Sequence, residues 1–102
     1  MKVANVADET AKRRYPEWTI AAGYDDGVVG TADVGSFPAG ASPNGALDMI
    51  GNVFEWTADA FEAGRAVRGG SWDTGFRGAR ASSRSWVGGE NRNANVGFRC
   101  AR

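Results

Sequence analysis

The sequence predicts a loop-rich α+β domain with a few short antiparallel strands and one or two short helices. Three observations carry this. Glycine fills 15 of 102 positions, double the usual share of ~7%. Apolar runs are short and end in turn-forming residues, and only one segment has the charge order of a helix. Glycine at that density suits a backbone with many positive-φ turns, not a helical bundle. The length allows one domain or part of one. A chain of this size buries about two-thirds of its unfolded surface, so ties beyond a hydrophobic core are expected.

Asp8 to Arg14 reads as a short helix, with acids first and bases last to match the helix dipole, and Pro16 to stop it. Trp18 to Gly45 has no sustained periodicity, only turn chemistry at Asp26-Gly27, Gly30, Gly35, Pro38, Gly40 and Pro43-Asn44-Gly45. Trp18, Ile20, Tyr24, Val28, Val34 and Phe37 are the expected anchors of this loop region. Val53 to Thr57 alternates as a strand, and Ala66 to Trp72 reads as a strand broken by the Gly69-Gly70 pair. Ala79 to Trp86 puts Arg80, Ser82 and Arg84 on one face of a further strand, and Val96 to Ala101 forms the last. There is no internal repeat.

Zero net charge hides a division. Residues 1–64 hold ten acids and four bases (−6), whereas residues 65–102 hold eight arginines and two acids (+6). The acidic part can supply oxygen ligands to hard cations. The arginines alternate with small and apolar residues at strand spacing, which makes them structural and argues against nucleic acid as a partner. Histidine is absent and Cys100 is the sole cysteine. The usual acid–base and zinc residue is thus missing, and no disulfide can form within the chain. Apolar stretches fall far below the ~18 residues of a membrane span, and no signal peptide is visible. No membrane association is expected, and a cytoplasmic setting is the default.

Two groupings could carry metal chemistry. Asp48 and Glu55 flank a glycine turn at Gly51 and could converge on a cation, with backbone carbonyls between them; a turn with solvated acids fits the spacing equally. Asn5-Val6 and Asp26-Gly27-Val28 are linked by nothing local, and an Asx turn is the alternative for Asp26. Asp25 could add charge or cap the same turn.

Three blocks point to a family: Gly51-Asn52-Val53-Phe54-Glu55-Trp56, Arg68-Gly69-Gly70-Ser71-Trp72 and Asn95-Val96-Gly97-Phe98-Arg99-Cys100. In this order they resemble the C-terminal portion of the formylglycine-generating enzyme, or sulfatase-modifying factor, family. The resemblance implies a C-type-lectin-like fold, with residues 1–102 as the C-terminal part of a domain more than twice as long. It further implies one or two calcium ions. Asp48 and Glu55 would ligate one through side chains, with the carbonyls of Gly51 and Val53. Asn5 and Asp26 would ligate the other, with the carbonyls of Val6 and Val28. Trp72 and Phe98 are expected to pack in the core, with arginines satisfying buried carbonyls or acids. Trp56 would plug the same core, and Asn91, Asn93 and Asn95 would bridge loops.

The family's enzymes carry two cysteines after the Arg-Gly-Gly-Ser-aromatic block, which bind copper and oxidise a sulfatase cysteine. Residues 73–83 here contain no cysteine, so the chain alone lacks the soft ligands copper(I) requires. Cys100 matches a structural position and is expected to be a small buried apolar residue. The leading expectation is a non-catalytic binding module, with residues 73–83 and 85–93 as its variable surface and Phe76, Arg77, Arg84 and Trp86 as its contact residues. The bracket from Arg68-Gly69-Gly70-Ser71-Trp72 to Gly97-Phe98-Arg99 also resembles the variable region of retroelement-diversified proteins that use this fold for ligand display. The alternative is the C-terminal part of a formylglycine-generating or sulfoxide-synthase-like enzyme whose catalytic residues lie elsewhere. Lacking an N-terminal half, the last strand would expose an edge, which implies self-association or pairing with another polypeptide.

Overall fold

Helix α1 (Glu9–Arg14) starts where an acid can cap it: Asp8 is the N-cap, and its carboxylate accepts the Ala11 amide at 2.9 Å. Lys12, Arg13 and Arg14 fill the last turn, where the dipole favours cations. The helix ends at Tyr15, next to Pro16, and the Tyr15 ring stacks on Trp18 with centroids 4.1 Å apart. The computed structural model describes residues 2–88 and 92–100. The expectations placed on Asn91 and on Ala101 fall outside the described residues.

A long loop region follows, with one 3-10 turn at Pro38–Gly40. The strands are β1 (Phe54–Phe61), β2 (Gly64–Arg68), β3 (Arg84–Val87) and β4 (Val96–Gly97), in the spatial order β3-β2-β1-β4. β1 and β2 form an antiparallel hairpin with a register irregularity between Trp56 and Ala60, and β2 pairs antiparallel with β3. β4 runs parallel to β1, with Phe54 opposite Val96 and Glu55 opposite Gly97. The sheet is therefore mixed, which corrects the all-antiparallel expectation; alternation of residues carries no information about strand direction. The loop-rich α+β class holds.

All four expected strands differ in extent: the one placed over 53–57 runs on to Phe61 as β1, and among the described residues the one placed over 96–101 ends at Gly97 as β4. The strand expected over 66–72 stops at Arg68, because Gly69 (φ 97°) and Gly70 (φ 72°) both turn left-handed. The strand expected over 79–86 shrinks to β3, because Ala79, Arg80 and Ser83 bond locally to Gly75, Gly78 and Arg80 and leave no ladder groups.

The core is thin. Among the described residues eight hydrophobic side chains are buried, and five of these are alanine. Val6, Val67 and Phe37 are the larger ones, each stabilising by about 1.5–3 kcal/mol. Asn5, Asp8, Asp26, Asn52 and Ser71 are buried beside them, so hydrogen bonds take a large part of the structural role. Several expected anchors lie outside. Val34 is 87% exposed in a turn, and Phe98 is 78% exposed just past the edge strand β4, where no described element covers it. Cys100 is exposed as well, which corrects its expected burial. Trp56 and Trp72 are half-buried, with Trp72 tilted on Trp18 at 5.8 Å.

Gly51 combines a left-handed backbone with a close approach of another chain segment. Its φ is 78°, and a Cβ there would stand 2.3 Å from the Asn5 carbonyl oxygen. Gly45 also has positive φ, but open space around it. Gly51→Ala should lower stability by at least about 2 kcal/mol, and Gly45→Ala by about 1 kcal/mol. Urea unfolding of both variants checks the ranking, and equal losses would contradict it.

Candidate metal centre

Asn5 is fully buried. Its amide nitrogen donates to the Gly30 carbonyl (2.8 Å) and to Asn52 Oδ1 (3.2 Å). Both partners are acceptors, so the nitrogen must face them and Oδ1 must point the other way. That oxygen has no hydrogen-bond partner. An unsatisfied buried acceptor costs about 1–3 kcal/mol, which a cation at that position would recover.

Asp26 lies beside it, 3% exposed. One carboxylate oxygen accepts the Val6 amide (3.0 Å) and the other the Val28 amide (2.8 Å). These bonds join the Asn5-Val6 segment to the Asp26-Gly27-Val28 turn, which local sequence could not link. Among the described residues the Val6 and Val28 carbonyls accept no hydrogen bond, so both remain available. Burial pushes Asp26 up from 3.8 to about 6; the Val28 and Val6 amides oppose this, and Asp8 adds to it. Asp25 has a different role. It accepts the Gly27 amide and Thr10 hydroxyl and pairs with Arg13 at 3.1 Å, a turn cap on the surface.

The other expected loop is arranged differently. Asp48 (φ 55°) and Asn52 (φ 65°) both take left-handed backbone and fold residues 48–55 into an arch. Asp48 Oδ2 accepts the Gly35 amide at 2.8 Å. Glu55 turns toward Asp48, and the two converge on the guanidinium of Arg99. Nη2 reaches Glu55 Oε2 at 2.8 Å and the Asp48 carbonyl at 2.9 Å, while Nε binds Glu55 Oε1. The carboxylate a metal would need already faces a positive charge. Gly51 and Val53 line the same 510 Å³ cleft, with Phe98 and Arg99 on its other side.

No three Asp, Glu, His or Cys side chains gather among the described residues. The donor set at Asn5, Val6, Asp26 and Val28 is one carboxylate, one amide and two carbonyls, hard oxygens of the kind calcium takes.

The four expected contact residues fall into two places. Phe76 (58% exposed) and Arg77 border a 390 Å³ cleft with Thr19, Ile20 and Gly75. Arg84 and Trp86 share a sheet face on β3, with the Arg84 guanidinium 4.0 Å from the Phe61 ring centre and Trp86 45% exposed.

Residues 2–102 match the family of the sulfatase-modifying factor enzyme 1-like domain. The chain belongs to the sulfatase-modifying factor family. The Inactive C-alpha-formylglycine-generating enzyme 2 of Bos taurus is 36% identical over 86 residues, covering 76% of this chain and 28% of that protein. The Hercynine oxygenase of Mycobacterium tuberculosis is 33% identical over 116 residues, covering 89% and 27%. The Formylglycine-generating enzyme of the same organism is 60% identical over 35 residues, 34% of this chain and 11% of that protein. No solved structure matches. The chain thus spans about a quarter of the length of the first two relatives.

Within this sulfatase-modifying factor domain, three residues hold the two loops in ways whose specific partners the sequence did not name. Asp8 both caps α1 and accepts the Asp26 amide. Asn52 exchanges two bonds with Ala32 (2.8 and 3.1 Å) while accepting from Asn5. Arg99 serves the Asp48–Glu55 arch. Asn52 and Arg99 stand inside quoted family blocks, yet their partners lie 47 and 44 residues away, beyond the reach of local pattern.

The raised Asp26 carboxyl gives a signed pH dependence. Between its unfolded value of 3.8 and about 6, the folded state holds more proton than the unfolded chain, so this group's contribution falls as pH rises through that window. In chelator, wild type should therefore gain stability relative to Asp26→Asn as pH is lowered from 6 to 4. Thermal melts of both proteins across that range check it; parallel pH profiles would remove the perturbed carboxyl.

Proposed function

We propose that this sulfatase-modifying factor domain is a non-catalytic, calcium-stabilised binding module. The observation that carries the reading is Asn5 Oδ1, fully buried and without a partner beside the Asp26 carboxylate. Asn5 Oδ1, Asp26 and the Val6 and Val28 carbonyls would hold the ion. Calcium bound there supplies the positive charge that keeps Asp26 ionised. The chain's own part is to position those oxygens: Asn52 and Gly30 orient the Asn5 amide, and Asp8 and the amides of Val6 and Val28 fix the Asp26 turn.

Display would fall to the Phe76–Arg77 cleft and the Arg84–Trp86 face, where aromatic and arginine side chains stand free to contact a protein or small ligand. The absence of cysteine from residues 73–83 supports a non-catalytic role, and one similar protein is itself named inactive. Retroelement diversification of these surfaces belongs to the same reading; a neighbouring reverse transcriptase gene and template repeat are its requirement. The second reading, part of a larger formylglycine-generating or sulfoxide-synthase-like enzyme, is favoured by the coverage of about a quarter of the Hercynine oxygenase.

Calcium at a hundredfold excess over its dissociation constant should stabilise the domain by about 2.7 kcal/mol per site. Melting temperature in calcium against chelator reads this, and Asp26→Asn should remove most of the shift. An unchanged wild-type melt sinks the metal assignment. β4 pairs with β1 on one side, and its outer edge has no partner among the described residues. Light scattering across a concentration series should accordingly show association, by strand addition or with an added N-terminal half; a compact monomer throughout would argue against such a partner.

A further inference from the structure

We propose that the guanidinium of Arg99 is the resident cation of the Asp48–Glu55 arch, so that this chain takes one divalent ion where its two oxygen-rich loops suggest two. Arg99 reaches both Glu55 carboxylate oxygens and the Asp48 carbonyl. A hard cation in the arch would seek those same oxygens. The planar fork matches a carboxylate and stays charged at every accessible pH. The guanidinium has no lone pair to offer a metal, only like charge to repel it. Hydrogen bonding to Glu55 raises the Arg99 pKa further, in the direction of a tighter pair.

The two loops differ in kind. At the arch, the acidic side chain has a built-in partner: Arg99–Glu55 is one of two ion pairs among the described residues, with the two side chains 40% and 19% exposed. The other pair, Arg13–Asp25, is 67% and 45% exposed and of the kind that contributes little. At the Asn5–Asp26 site no arginine or lysine among the described residues bonds the buried carboxylate, and a buried oxygen is left unsatisfied. One loop has its positive charge supplied by the chain, and the other awaits one.

Arg99 also has a place in the sheet that explains its task. It stands two residues beyond Gly97, which faces Glu55 across the parallel β1–β4 pair. That pair has only two residues in register on each strand. The fork therefore fastens β4 to the arch as well as balancing Glu55.

The one-ion count rests on the calcium reading above; the Arg99–Glu55 pairing does not. Isothermal titration of the chain with calcium alone should give one equivalent. Glu55→Gln should keep that equivalent with affinity changed less than about twofold, while Asp26→Asn loses it. Two equivalents in wild type, or loss of an equivalent in Glu55→Gln, would overturn the proposal. If no calcium binds at all, the calcium reading fails and the pairing is decided in chelator by a double-mutant cycle. Glu55→Gln and Arg99→Gln should each lower the melting temperature by on the order of 5 °C, and the double variant by no more than either. Additive losses refute it. Should Arg99→Gln fail to fold, Arg99→Lys takes its place in the cycle; it keeps the charge without the fork, and should recover less than half of the lost temperature.

Discussion

The bond between the side chains of Asn5 and Asn52 is the constraint on which the rest of the structure depends. It joins two fully or nearly fully buried amides, and the backbone repeats the connection, with the Asn52 amide on the Asn5 carbonyl at 2.7 Å. From Asn52 the network continues to Ala32 and to the Trp72 amide. Four segments that share no strand or helix are thereby fixed at one point. In a domain whose buried apolar set is mostly alanine, directional bonds do what side-chain bulk does elsewhere. Gly51 belongs to the same arrangement, because only a residue without Cβ lets the Asn5 carbonyl reach the Asn52 amide.

This polar centre explains why the candidate metal site lies where it does. Once the nitrogen of Asn5 is committed to two acceptors, its oxygen must point into the protein with no donor to meet it. The neighbouring Asp26 is held by backbone amides from both sides, which fixes its geometry without neutralising it. An oxygen-lined position with one uncompensated carboxylate is a general requirement for a calcium-type ion. The Asp48–Glu55 arch meets the requirement of oxygens but not that of uncompensated charge.

Much of this was legible in the sequence. The order of acids and bases from Asp8 to Arg14 marked the helix, and glycine density marked the loop-rich class. The family resemblance put Asn5, Asp26, Asp48 and Glu55 among the residues to watch, and the arginines as partners of acids and carbonyls, a role Arg99 fills. The rest was hidden for identifiable reasons. Alternating arginine and serine over 79–86 mimicked a strand, yet local turn bonds engage the amides of Ala79, Arg80 and Ser83. Phe98 and Val34 are apolar enough for a core, but position relative to an edge strand and a turn decides burial. The Arg99–Asp48 contact reaches across 51 residues, and the parallel pairing of β4 with β1 is also long-range, so no short window of sequence contains both ends.

The arch at 48–55 is thus gripped from both directions in chain order, by Asn5 from before it and by Arg99 from after it. Nearer segments also bond the arch, through Gly35 to Asp48 and Ala32 to Asn52, but the two outer grips close last. Its formation belongs to the late, slow part of folding, since each grip requires closing a loop of more than forty residues before any bond rewards it. On the ribosome, residues 48–55 emerge well ahead of the side chain that completes their arch, and the arch stays unfinished until Arg99 has followed them out.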